Sequence, residues 1–200
     1  MNLWQGQAIY SCIIVTLTSL LFACQPSTKP VIKIGMIAPF EGTLSHVGYQ
    51  RLYGVKLALQ EMNQQGGIAG YKVELVALND FGDKQEAQSQ IQELVIDTDV
   101  KAAVGQWDSE MFAASVEIYD TVQLAVVEPS QFTDLSSLSD TFDETFQKLS
   151  HTPSTPESKQ AYLATTHLLQ TIEQAIQQHG GPSRANIWHV FTNATVFSHH

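Results

Sequence analysis

Three glycines at positions 66, 67 and 70, in the stretch EMNQQGGIAGYKVELVAL, are the first residues whose type and spacing bear on chemistry. A glycine-rich loop running from a strand into a helix can cradle a phosphate, and a Lys-Ser or Lys-Thr pair then follows its last glycine. Here the order is reversed: a helical stripe comes first, a strand-like run follows, and that pair is missing. Gly66 and Gly67 are therefore expected to end a helix in left-handed conformation, and Gly70 to sit in a tight turn. The seven histidines are scattered, and no HExxH, GxSxG or CxxC spacing occurs. His46, His151 and His189 have no partner in a catalytic pattern. The expectation is a protein that is not an enzyme and uses no cofactor and no metal.

Charge narrows the partners. Ten Lys and Arg face twenty Asp and Glu, for a net charge of -10, which argues against a nucleic-acid surface. No charged side chain precedes Cys24. Ile13–Ala23, IIVTLTSLLFA, is apolar but shorter than the roughly 20 residues a membrane-spanning helix needs. Residues 1–23 read as a signal segment and 24–30, CQPSTKP, as a linker. Leu21-Phe22-Ala23-Cys24 resembles a bacterial lipobox, which implies lipidation of Cys24 and a membrane lipid anchor. With Cys12 in the signal segment and Cys24 lipidated, the body keeps no thiol for a disulfide, a metal or a nucleophile.

The elements after residue 30 alternate. Residues 32–38, IKIGMIA, suit a buried parallel strand. Leu52, Val55, Leu59 and Met62 form one helical face, and YKVELVAL reads as the second strand. Ala87, Ile91, Leu94 and Val95 mark the next helix, and KAAVG the third strand. Ser109–Tyr119 reads as one helix with Asp108 or Ser109 as its N-cap, and VQLAVV as the fourth strand. Residues 128–155 look irregular. A long helix opens at Pro156 with Thr155 as its cap and stops at Gly180-Gly181-Pro182. ANIWHVF reads as a fifth strand. Such alternation predicts an α/β fold, a doubly wound parallel sheet in three Rossmann-like layers with right-handed crossovers. Ligands of such sheets bind at the carboxyl ends of the strands, near the switch in strand order.

The run from IKIGMIAPFEGTLSHVG to YKVELVALND resembles the opening of a type I periplasmic binding protein. It is most similar to the branched-chain amino-acid or amide receptors of ABC transporters. Asn63, Gly66, Gly67, Ile68 and Gly70 reproduce that family's Asn-x-x-Gly-Gly-Ile-x-Gly helix ending. DKQEAQSQIQELV and VKAAVGQWDSEMFAAS resemble its second helix and its third strand and helix. The resemblance implies two lobes that close on a small-molecule ligand, an ABC permease as partner, and a place in the periplasm or on the outer face of the cell membrane. Residues 31–200 would then be the N-terminal lobe, with 186–192 as the first strand of the second.

The resemblance also implies ligand contacts in the loops after strands one, three and four. By position these are Glu41, Thr43 and Ser45; Trp107, Asp108 and Ser109; and Glu128, Ser130 and Gln131. Amino-acid receptors of the family hold a ligand carboxylate with hydroxyls and backbone N–H groups, a role that Ser109 and Ser130 fit. Asp108, Glu110 and Glu128 depart from that pattern. Three acids near one crevice repel a carboxylate and attract an amine, so a cationic ligand is expected alongside amino acids and amides. The competing expectation is a single-lobe or degenerate lipoprotein that acts as a sensor or a protein-interaction module of the envelope.

Overall fold

The structure is a computed structural model that describes residues 30–106 and 108–196, with side chains as far as Asn193. The signal segment, Cys24, most of the linker, Trp107 and the His199-His200 end lie outside the described residues. The chain runs β1 (Ile32–Ala38), α1 (Ser45–Gln64), β2 (Val73–Asn79), α2 (Lys84–Ile96), β3 (Val100–Val104), α3 (Ser109–Ala113), α4 (Val116–Thr121), β4 (Ala125–Val127), a 3-10 turn (Pro129–Gln131), α5 (Phe142–Ser150), α6 (Pro156–His179) and α7 (Arg184–Val196). The four strands form one all-parallel sheet in the order β2-β1-β3-β4. The order reverses at β1, which has β2 on one side and β3 on the other.

Alternation along β1 builds both faces. Ile32, Ile34, Met36 and Ala38 face a core completed by Val55 and Leu59 of α1 and by Ala161, Leu168 and Ile172 of α6. Ile37 faces the other way, onto Ile91 and Leu94 of α2 and Tyr119 of α4. A strand covered on both sides needs the near-continuous apolar sequence that β1 has. Among the described residues no helix is long and apolar enough to cross a membrane.

The glycine stretch is a structural turn. Gly66, Gly67 and Gly70 all have positive φ, and a Cβ on Gly67 would lie 2.0 Å from the Tyr71 carbonyl oxygen. Ile68 and Tyr71 pair as an antiparallel bridge across the turn. Asn63 completes it: its Nδ2 donates to the Val73 carbonyl at 2.8 Å, and its Oδ1 accepts from the Val73 N–H at 2.9 Å. The side-chain amide thus bonds the first residue of β2 as a neighbouring strand would.

Three local readings of the sequence change. Residues 184–196 are a helix, so ANIWHVF is not a strand and 186–192 does not open a second lobe as one. Ile187, Val190 and Phe191 fall at i, i+3 and i+4, and as a helix they pack against α6, β3 and β4. A short continuous apolar run fits either period, and here packing on α6 decides. Arg184 fixes the helix start: Nε donates to the Val100 carbonyl at 2.7 Å, Nη1 to Val95 at 3.0 Å and Nη2 to Asp97 at 2.6 Å. Residues 142–150 form α5, because Phe142 and Phe146 meet Leu57 of α1. The expected helix Ser109–Tyr119 breaks at Ala114-Ser115, where the buried Ser115 hydroxyl donates to the Met111 carbonyl at 2.7 Å and accepts from Gln106 Nε2 at 3.2 Å.

Candidate functional site

The loops after all four strands meet at the carboxyl edge of the sheet. After β1, the chain folds over the start of α1. Asn79, the last residue of β2, ties this loop down: its Oδ1 accepts from the Phe40 N–H at 2.9 Å and from the Phe81 N–H at 3.0 Å. Asn79 Nδ2 donates to Glu41 Oε1 at 3.3 Å. Glu41 therefore leans toward β2. Thr43 and Ser45 bond within the same loop, the Thr43 carbonyl to the His46 ring at 3.1 Å and the Ser45 N–H to the Gly42 carbonyl at 3.3 Å.

The loops after β3 and β4 converge. Asp108 Oδ1 accepts from the Met111 N–H at 2.9 Å and so caps α3. That cap presents Ser109 toward Glu128. Ser109 Oγ and Ser130 Oγ each donate to Glu128 Oε1 at 2.5 Å, and the two hydroxyl oxygens are 3.3 Å apart. Gln131 Nε2 donates to Glu128 Oε2 at 3.0 Å. Of the residues singled out in the sequence, Ser109, Glu128, Ser130 and Gln131 form one cluster, Glu41, Thr43 and Ser45 stand in the β1 loop, and Trp107 lies outside the described residues. Glu110 is paired with Lys84 at the start of α2.

Arg51 was not anticipated. It is 7% exposed, and its Nη1 donates to the Gln106 carbonyl at 3.3 Å. It thereby links α1 to the end of β3, across the reversal in strand order. Its Nε has no hydrogen-bond partner among the described residues. Burial lowers the Arg51 pKa, and the charges of Glu157, Glu128 and Asp108 oppose that lowering. The acids thus already face a protein cation. A sequence signal existed: Arg51 precedes Val55 and Leu59 at helical spacing and so lies on the buried stripe of α1.

Partial burial pushes the Glu128 carboxyl up, but hydrogen bonds from Ser109, Ser130 and Gln131, with the Arg51 charge, outweigh it and hold the group below its ordinary 4.5. A carboxyl lowered in the folded state adds stability that is complete above pH 4.5 and is lost as pH falls through the lowered value. Glu128→Gln should therefore lose less stability than the wild type between pH 6 and pH 3, compared by urea midpoint at each pH. Equal losses in the two proteins would contradict the hydrogen-bonded, ionised Glu128 described here.

Residues 31–146 match the family described as Periplasmic binding protein. A Leu/Ile/Val-binding protein homolog 7 from Brucella melitensis is 28% identical over 116 residues, covering 58% of this chain and 29% of that protein. The Leu/Ile/Val-binding protein of Citrobacter freundii is 23% identical over 130 residues, covering 65% of this chain and 34% of that protein. The chain spans roughly a third of the length of these relatives. Among solved structures, a leucine-binding protein of Thermotoga maritima matches with a TM-score of 0.66 at 14% identity, over 80% of this chain and 87% of that one. At that identity the likeness concerns the fold.

Proposed function

The chain belongs to the periplasmic binding protein family, and from that premise we propose that it is an extracytoplasmic solute-binding component of an ABC uptake system. It would present a small polar ligand to a membrane permease and catalyse no reaction. The ligand is an amino acid, an amide or a cationic metabolite, held at the carboxyl edge of the sheet in the cleft between two lobes. Lipid on Cys24 would keep the protein at the membrane surface.

One observation carries the reading: Ser109, Ser130 and Gln131 converge on one point at that edge, beside the Arg51 link across the strand-order reversal. This is where ligands of such sheets bind. The filled state of these donors favours the cationic and amide classes over a plain aliphatic amino acid, because Glu128 already stands where an anionic group would go. The same filled state gives a second reading its footing, a sensor or protein-interaction module of the envelope that needs no small ligand.

Ligand-dependent thermal stabilisation separates the two. Stabilisation grows as the logarithm of ligand concentration over Kd. One lobe covers one side of a ligand, so Kd for this chain is expected to be about 1 mM, equivalent to about 4 kcal/mol. A panel of amino acids, their amides and polyamines at 20 mM should contain compounds that raise Tm in a saturable way. A flat response across the panel, together with co-purification of an envelope protein, would favour the interaction module.

A further inference from the structure

Glu128 is bonded as a ligand would be. Its carboxylate takes three hydrogen bonds from three side chains in two segments: Ser109 at the start of α3, and Ser130 and Gln131 in the turn after β4. Both of its oxygens are engaged. The buried Arg51 guanidinium acts on it from the α1 side. Two hydroxyls, an amide donor and a nearby guanidinium are the donor types that recognise a carboxylate of any origin.

We infer that Ser109, Ser130 and Gln131 form a carboxylate-binding cradle whose built-in occupant is Glu128, so that the chain's own side chain excludes carboxylate-bearing solutes from this point. The inference rests on the proposed solute-binding reading for its consequence, ligand selection, whereas the cradle itself stands on the geometry. An attached group competes at an effective concentration that a dilute solute does not reach. A solute with an amine or amide at this point meets no such competition and finds in Glu128 an acceptor for its N–H groups. Glu128 therefore determines specificity by occupancy.

Chemical rescue tests this on the full chain. Glu128→Ala removes the occupant and leaves the three donors in place. Sodium formate, compared with sodium chloride at equal ionic strength, should raise the Tm of Glu128→Ala by about 4 °C at ten times its Kd, and in a saturable way. The wild type should respond equally to formate and chloride. Adding Ser109→Ala and Ser130→Ala to Glu128→Ala should abolish the formate effect. Should Glu128→Ala be unfolded in chloride, recovery of its circular-dichroism spectrum in formate supports the cradle, and failure to recover overturns it. Equal formate responses in the wild type and Glu128→Ala, or a formate effect that survives loss of both serines, also overturns it. A wild-type chain that binds no solute of the panel would count against the solute-binding reading and leave the formate result standing, so the two failures are distinguishable.

Discussion

Gly54→Ala is expected to destabilise the protein by about 3 kcal/mol, the upper end of ordinary overpacking costs, although alanine is the better helix former. In an exposed helix interior this replacement gains about 1 kcal/mol. Gly54 is instead the point where α1 crosses α6. A Cβ there would lie 2.2 Å from the Ser158 carbonyl oxygen, 3.1 Å from its carbon and 3.2 Å from the Tyr162 nitrogen. All three are backbone atoms, so no rotamer change relieves the clash. The helices must separate along a contact that also buries Val55, Ala161 and Leu168, and overpacking of this kind costs about 1–3 kcal/mol, occasionally more. Ser158 resists the shift, because its hydroxyl accepts from the Thr155 N–H at 2.9 Å and donates to the Thr155 carbonyl at 2.8 Å. Arg51 lies one turn before Gly54, so widening the crossing also withdraws the guanidinium from the crevice. Urea unfolding checks the sign. A Gly54→Ala chain as stable as the wild type would mean that the close crossing is not present in solution.

Phe146→Ala should cost about 3–5 kcal/mol. The ring is fully buried, packs with Phe142 at a centroid distance of 5.9 Å, and shares its cluster with Leu57 of α1. Tyr53 of α1 and Tyr162 of α6 pack against the same cluster, and the Tyr162 ring meets Phe142 edge-on at 5.0 Å. The effect reaches the site. The segment after α5 is held to α1 by Gln50, whose Nε2 donates to the Pro153 carbonyl at 3.0 Å and to Thr152 Oγ1 at 3.3 Å, and Gln50 is next to Arg51. Loss of α5 docking should therefore raise protease cutting within 133–155 before global unfolding. An unfolding free energy from urea titration within about 1 kcal/mol of the wild type, a loss far below that of a buried phenylalanine, would show that α5 is not docked as described.

What the sequence disclosed follows from the range of the forces involved. β1, α1, the glycine turn and β2 were legible because each is written in a local pattern: an unbroken apolar run, a stripe at 3.6-residue spacing, then glycines at positive φ. The four-stranded parallel sheet followed from the alternation of such patterns. α5 was missed although Phe142, Phe146 and Leu149 stand at the helical spacing i, i+4 and i+7, because three apolar residues over nine make a short stripe inside a segment rich in Ser, Thr and Asp. α7 was misread because Ile187, Trp188, Val190 and Phe191 satisfy both a strand and a helix until α6 provides the surface. At the site, the family resemblance, carried over by position, placed Ser109, Glu128 and Ser130 in neighbouring loops. The bond from Ser109 to Glu128 and the bond from Arg51 to the Gln106 carbonyl span 19 and 55 residues of chain, and no local pattern records such pairings.

The carboxyl edge of this sheet is expected to receive a small solute. Amide NMR of the full chain, titrated with L-leucine, leucinamide and putrescine, addresses it directly. Saturable shifts are expected with leucinamide or putrescine, concentrated in residues 40–46, 105–110 and 128–132, and weaker shifts with L-leucine because Glu128 fills the donors. No saturable shift with any of the three, or shifts centred at the amino ends of the strands, would contradict it.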